Sequence, residues 1–251
     1  MMTEKPTLVA HRGLAANWPE NTLPALQAAV AAGARWVEVD VQLSADGVPV
    51  LLHDADLVRV AGRSESVFDL PAAMLADIPV GEPERFGARF PQARAPRLAE
   101  FAHWLAGTEG VNAFVELKTE SIERFGRNAV ANACMQAMAP AHGRWAPISY
   151  DYEILALAGD SGAQALGWIV RGFDPAVETR ARALPARWLF CRHDRLPPGP
   201  LPQGPWEWVL YEVADAALAN RLLARGARWL ETMAIDELGQ ALQGESAGDI
   251  G

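Results

Sequence analysis

Short apolar runs alternate with longer stretches of helical periodicity along most of the chain. The apolar runs at 7–10, 35–43, 111–117, 145–149, 163–170, 187–190, 208–213 and 228–231 predict eight strands. Helical patterns at 21–32, 98–106, 121–138, 151–158, 174–183, 215–225 and 235–243 predict the elements between and after them. Asn21 or Thr22 is placed to cap the first helix, with Pro24 in its first turn and Gly33 at its end. Asp46-Gly47 turns the chain after the second strand, and 48–52 continues extended. Residues 54–97 break the rhythm with Pro71, Pro79, Pro83, Pro91 and Pro96, which predicts a small lobe, about 55–97, over one mouth of the fold. A second Pro-rich stretch, 196–205, stands where the alternation calls for a helix.

Strands alternating with helices argue for an α/β fold with a parallel sheet covered by helices. Eight such units in 251 residues match a (β/α)8 TIM barrel, with residues 1–251 forming a single domain and the lobe inserted after strand 2. The competing open, doubly wound sheet opens its first helix with a glycine-rich turn, whereas this chain has His11-Arg12-Gly13.

Composition removes several function classes. Half the residues are apolar, enough for a large core. The net charge of −9 argues against a nucleic-acid partner, so any anionic substrate must be met by local positive charge. Cys134 and Cys191 form no CxxC unit and read as reduced thiols in or near the core. The N-terminal stretch carries no secretory apolar core, and no run is long enough for a membrane span or stable anchor, which points to the cytoplasm. No helix face is singled out for self-association, so the oligomeric state is open.

Polar residues then cluster where a barrel carries its chemistry, at the C-terminal ends of the strands. Strand one ends in His11-Arg12, strand two carries Glu38-Val39-Asp40, its extended continuation ends in His53-Asp54, and strand three ends in Glu116-Leu117-Lys118. Residues i and i+2 of a strand share a face, so Glu38 projects with Asp40 and Glu116 with Lys118. Carboxylates crowded on an inward face call for neutralisation, and a divalent Mg2+ or Ca2+ takes such oxygen donors. Arg12 and Lys118 add positive charge for a phosphate; Lys118 is one of two lysines beside twenty arginines. His11 and His53 suit an acid and a base near neutral pH. The bland alternative is a set of structural ion pairs and a hydrogen-bonded histidine at each position.

In order, His11-Arg12-Gly13, Pro19-Glu20-Asn21-Thr22, Glu38-Val39-Asp40-Val41-Gln42-Leu43, Asp46-Gly47, His53-Asp54 and Glu116-Leu117-Lys118 resemble the glycerophosphodiester phosphodiesterase family. Phe68-Asp69-Leu70 and Pro96-Arg97-Leu98-Ala99-Glu100 resemble its insertion, and Ser149-Tyr150-Asp151 is similar to its Ser-aromatic strand end. The match is dense over 8–118 and thinner beyond. The resemblance implies a TIM barrel and metal-dependent hydrolysis of a small glycerophosphodiester to sn-glycerol 3-phosphate and an alcohol. Carried over, Glu38, Asp40 and Glu116 hold the metal, His11 and His53 form the acid–base pair, and Arg12 and Lys118 hold the phosphate. Glu20 and Asn21 are further candidates for the site or for the helix start, and Tyr211 for the substrate pocket.

The chain departs from the family at its C-terminal strands. Tyr211-Glu212-Val213-Ala214 replaces an aromatic-Thr-Val-Asn run, and strand eight reads Glu231-Thr232. Glu212 and Glu231 either face outward or help bind a cationic or hydroxylated alcohol; Trp168, Trp206 and Trp208 either line such a pocket or pack. Asp54, in an extended chain, points away from His53 and orients the loop. His103 and His142 read as surface residues and His193 as a spare polar group. The rival functions are a lysophospholipase D-like activity on the same fold, a non-catalytic metal- or phosphate-binding barrel and, more remotely, a sugar isomerase barrel.

Overall fold

A computed structural model describes residues 5–248 of the chain. In chain order the elements are β1 (Thr7–His11), α1 (Leu23–Ala31), β2 (Trp36–Leu43), β3 (Pro49–Leu51), α2 (Val58–Ala61), α3 (Ala72–Leu75), α4 (Pro83–Phe86), α5 (Leu98–Gly107) and β4 (Asn112–Leu117). There follow α6 (Thr119–Phe125), α7 (Arg127–Ala137), β5 (Trp145–Ser149), α8 (Tyr152–Asp160), β6 (Gly167–Val170), α9 (Pro175–Ala183), β7 (Trp188–Arg192), β8 (Glu207–Tyr211), α10 (Ala216–Ala224), β9 (Trp229–Thr232) and α11 (Ile235–Gly248).

All strands but β3 run parallel, in the order β1-β9-β8-β7-β6-β5-β4-β2, and β1 pairs with β2 to close an eight-stranded barrel. β3 lies outside, folded back antiparallel on the end of β2 with Val41 opposite Leu51. Gly47 at φ +74° makes the turn between them, a backbone setting that suits glycine. The expected TIM barrel with a lobe after strand 2 is therefore the observed fold.

The barrel is filled rather than hollow. Its interior is aromatic below the mouth: Trp36 stacks on Phe114 at 4.6 Å and meets Trp188 and Trp229 edge-on at 5.4 and 5.1 Å. Such offset and edge-to-face contacts are the favoured ring geometries. Alternate strand residues supply this inner cluster, including Val9, Ile148, Ile169, Phe190 and Val209, and the intervening ones face the helices. Cys134 and Cys191 are free and buried, as expected.

Local sequence sets the helix starts. Thr22 caps α1, and Asp151, Asp174 and Asp215 cap α8, α9 and α10 by accepting from the third helical N–H at 2.7–3.3 Å. The helix expected over 121–138 is two, because Gly126 at φ +85° leaves helical space between α6 and α7. The strand expected over 163–170 shortens to β6. The Pro-rich 196–205 connection forms no helix, and Trp206, Trp208 and Phe173 fill that space, with ring centroids 5.2–6.2 Å apart. These tryptophans pack; they do not line a pocket.

The inserted lobe is more ordered than its composition suggests. Leu57, Val60, Val67, Leu75, Ile78 and Val80 form an apolar cluster of their own, with Val50 and Leu52 of the hairpin as its base. Its charged residues reach back to the loop after β1: Arg85 donates to the Ala15 carbonyl at 2.7 Å, and the buried Glu82 accepts the Glu20 N–H at 2.7 Å.

Candidate active site

Strand register brings the chemistry to one mouth. His11 lies opposite Glu38, and Asp40 opposite Glu116, across β1–β2 and β2–β4. In-register residues of parallel neighbours share a face, so all four project inward at the C-terminal ends. The β2–β3 hairpin then carries His53 back to the same place: the Leu52 N–H bonds the Asp40 carbonyl at 3.1 Å, and Gln42 Nε2 donates to the His53 carbonyl at 3.0 Å. His11, Arg12, Glu38, His53, Glu116 and Lys118 line one cavity of about 140 Å3, with Tyr150, Tyr211 and Glu231 on its other walls.

Glu38, Asp40 and Glu116 each place a carboxylate oxygen within 4.8 Å of the others. Burial pushes Glu38 well above the usual carboxylate range, aided by Asp40 and Glu231. Burial pushes Asp40 the same way, but Arg12 and Lys118 outweigh it and hold that carboxyl well below its usual range. Glu116 is raised by burial against the pull of Lys118. Arg12 Nε lies 2.9 Å from Asp40, and Lys118 Nζ lies 3.1 Å from Glu116 and 3.4 Å from Asp40. Glu38 Oε1 and Asp40 Oδ1 are buried acceptors without a hydrogen bond. Unsatisfied buried oxygens among like charges fit a hard divalent cation.

The Glu20-Asn21-Thr22 run divides between the helix start and the wall of the mouth. Thr22 is the helix cap. Asn21, buried and at φ +55°, turns its amide onto Asp40: Nδ2 donates to Oδ2 at 3.0 Å and Oδ1 accepts the Asp40 N–H at 3.1 Å. Glu20 accepts two 2.7 Å bonds from Arg59 of the lobe and longer ones from Arg12. Arg59 also donates to Asp54 at 2.8 Å, and the other Asp54 oxygen lies 2.6 Å from His53 Nδ1. The chain bends at 53–55 instead of running extended, so Asp54 folds back onto His53 and orients the ring as well as the loop. That hydrogen bond, ahead of Arg59, holds the Asp54 carboxyl down at about 2.

Glu231 is the residue whose direction the sequence leaves open. It faces inward, with Oε1 3.3 Å from His11 Nε2, and burial raises it to about 8. His11 is itself pushed down to about 3, by burial first and Arg12 next, so its ring is neutral at pH 7. The departure from the expected strand-eight pattern was the only hint. Glu212, at φ +60°, is half-exposed and reaches Arg192 at 3.7 Å. Tyr211 does line the cavity and hydrogen-bonds Tyr150 at 2.9 Å. His103 and His142 are exposed on the outside.

Residues 11–142 match the family model described as the glycerophosphoryl diester phosphodiesterase family. The chain belongs to this family. Among relatives, a glycerophosphodiester phosphodiesterase of Caldanaerobacter subterraneus is 34% identical over 115 residues, 46% of each chain. Glycerophosphodiester phosphodiesterase 1 of Rattus norvegicus is 36% identical over 97 residues, 39% of this chain and 29% of the rat protein. Thus the matched stretch spans under half the length of either relative. A solved phosphodiesterase of Oleispira antarctica, in complex with the product sn-glycerol 3-phosphate, superposes with a TM-score of 0.82 over 95% of this chain and 97% of its own, at 23% identity. That likeness extends the family fold over β5–β9, beyond the matched residues. Among the described residues, no helix is long and apolar enough to cross a membrane.

Proposed function

We propose that this mouth hydrolyses glycerophosphodiesters to sn-glycerol 3-phosphate and an alcohol. The observation that supports it most is the convergence of His11, His53, Glu38, Glu116, Arg12 and Lys118 on one cavity, with an Asp40 carboxylate oxygen within 4.8 Å of those of Glu38 and Glu116. Glu38, Asp40 and Glu116 are the residues that would hold Mg2+ or Ca2+. Such a cation supplies positive charge beside the phosphoryl oxygens and offsets the charge that builds on them.

The chain's own groups account for the rest. Arg12 and Lys118 place fixed charge at the phosphate, and their carboxylate partners keep both protonated. One histidine takes the proton of the attacking hydroxyl, whose oxygen forms the new bond to phosphorus. The other gives a proton to the alcohol oxygen as its bond to phosphorus breaks. Asp54 fixes Nδ1 of His53 and leaves Nε2 to act. Each histidine is expected to contribute about 10²–10⁴-fold.

The test is release of sn-glycerol 3-phosphate from glycerophosphocholine and glycerophosphoethanolamine, with Mg2+, with Ca2+ and with chelator. Metal-dependent release that falls at least about a hundredfold in His11→Ala and in His53→Ala supports the assignment. Wild-type rates in both variants would remove the acid–base pair from the reading.

A further inference from the structure

A second cavity, of about 280 Å3, adjoins the one that faces the carboxylates and shares Tyr150, Tyr211 and Glu212 with it. Its other walls are Arg171, Arg192 and Arg195. Strand register puts two of these side by side: Val170 pairs with Cys191, so Arg171, just past the end of β6, lies beside Arg192, the last residue of β7. The third comes from the 3-10 turn His193–Arg195, whose backbone abuts the loop after β6; a Cβ on Gly172 would lie 3.5 Å from the Arg195 carbonyl oxygen.

The charges here do not balance. Arg192 is held by Asp194 through two bonds of 2.7 and 2.6 Å and lies 3.7 Å from Glu212. Arg171 and Arg195 have no carboxylate partner among the described residues. Arg171 instead lies over the Tyr150 ring, 4.5 Å from its centre, and the Tyr150–Tyr211 hydrogen bond braces that ring. Three guanidiniums against Asp194 and Glu212 leave this cavity net positive, with the exposed Arg171 and Arg195 free of carboxylate contacts, in a chain of net charge −9. The carboxylate-lined cavity is half the size of this one, and the two share a wall.

Resting on the hydrolysis proposed above, we propose that this cavity seats the leaving alcohol and selects one that carries a phosphate group of its own. A guanidinium matches phosphate oxygens with paired N–H donors, and two guanidiniums not engaged by a carboxylate suit an anionic group better than a hydroxyl or an ammonium. The structure thereby turns the open question of a cationic or hydroxylated alcohol toward an anionic one.

The experiment compares glycerophosphoinositol 4-phosphate with glycerophosphoinositol, which differ only by that phosphate, and with glycerophosphocholine. In the wild type kcat/KM is expected to favour the phosphorylated diester by about tenfold or more, mainly through KM, with the preference shrinking as salt rises. In Arg171→Gln with Arg195→Gln the ratio of the two inositol substrates falls to near one. Arg195→Glu shifts the preference toward glycerophosphocholine, which a purely structural arginine would not do. Calorimetry with inositol 4-phosphate against inositol reads the subsite without turnover. Equal kcat/KM for the two inositol diesters in the wild type, or a preference that survives the double variant, overturns the proposal and leaves the hydrolysis standing. Tight binding of inositol 4-phosphate, lost in the double variant, with no hydrolysis of any of the three diesters, upholds the subsite and overturns the reaction. Absence of both overturns both.

Discussion

Replacing Asn21 by alanine isolates how the site is held together. β1 stops at His11, and the last carbonyl of β2 that it satisfies is that of Glu38, through the Arg12 N–H at 3.0 Å. Two residues further along the same edge of β2, the Asp40 N–H has no strand to meet, and the Asn21 side chain takes the strand's place at 3.1 Å. Alanine removes that acceptor and leaves a buried N–H unpaired, at a cost of about 1–3 kcal/mol. It also removes the donor to the Asp40 carboxylate, a charge-assisted bond worth about 1.5–3 kcal/mol. At φ +55° alanine keeps the Cβ but loses the polar side chain that lets asparagine tolerate left-handed backbone, which adds about 1 kcal/mol.

Because these losses share one residue they do not add fully, and a total of about 3–5 kcal/mol is expected. Urea unfolding in chelator measures it as a lower midpoint at unchanged slope. For a chain of this size the melting temperature falls by about 6–15 °C. Asn21→Gly loses the same two bonds without the left-handed penalty, so it is expected to be about 1 kcal/mol more stable than Asn21→Ala. A loss below about 1 kcal/mol for alanine, or an alanine variant as stable as the glycine one, would refute the claim that Asn21 both completes the ladder and bears the strained backbone.

Other positions give sharper single readings. Gly13 sits at φ +86° with the α1 backbone so close that a Cβ would lie 2.6 Å from the Ala25 carbonyl carbon; Gly13→Ala is expected to cost about 2–4 kcal/mol in urea unfolding, and a neutral change would place α1 wrongly. Glu38→Gln removes one of several crowded buried acids, so chelated protein is expected to be at least as stable as wild type by thermal melting. The same variant should lose the stabilisation, about 2.7 kcal/mol at a hundredfold excess over Kd, that Mg2+ or Ca2+ gives the wild type; an undiminished rise would take Glu38 out of the cation site. Burial raises the thiols of Cys134 and Cys191 to about 12, so neither is expected to react with a thiol reagent at pH 8 until urea unfolds the chain; prompt labelling of the native protein would contradict their packing.

The parts of the site that were legible in the sequence are those fixed by short-range parity. Glu38 and Asp40 share a face because strand side chains alternate, and Glu116 joins them because β4 is the next barrel strand and pairs directly with β2. What stayed hidden depends on partners far along the chain. Asn21 reads equally as a helix start or a site residue from its neighbours, and only the position of β2 reveals its bonds to Asp40. In 228–231, alternation alone allows Glu231 to face either way; closure of the barrel, with Val9 opposite Glu231, turns it toward His11. Gly126 does not stand out in the sequence because apolar residues continue on both sides of it, from Ile122 to Val130, while only its φ breaks the helix.

The lobe is the strongest case of composition misleading. Its prolines suggest loose chain, yet its charged residues are part of the site's framework. Glu20 is a buried acid, and Arg12 alone would have to divide itself between Glu20 and Asp40. Arg59 takes Glu20 with paired bonds, which frees Arg12 to lie against Asp40, and the same Arg59 holds the Asp54 that fixes His53. A continuous line of charge-assisted bonds thus runs from Arg12 through Glu20, Arg59 and Asp54 to His53. Its members come from the loop after β1, the lobe and the hairpin, so the surroundings of His53 are not complete on the barrel alone. An open lid would leave the buried Glu20 short of a partner, whereas a lobe pinned by Arg59, Arg85 and Glu82 keeps the acid paired and the mouth in shape.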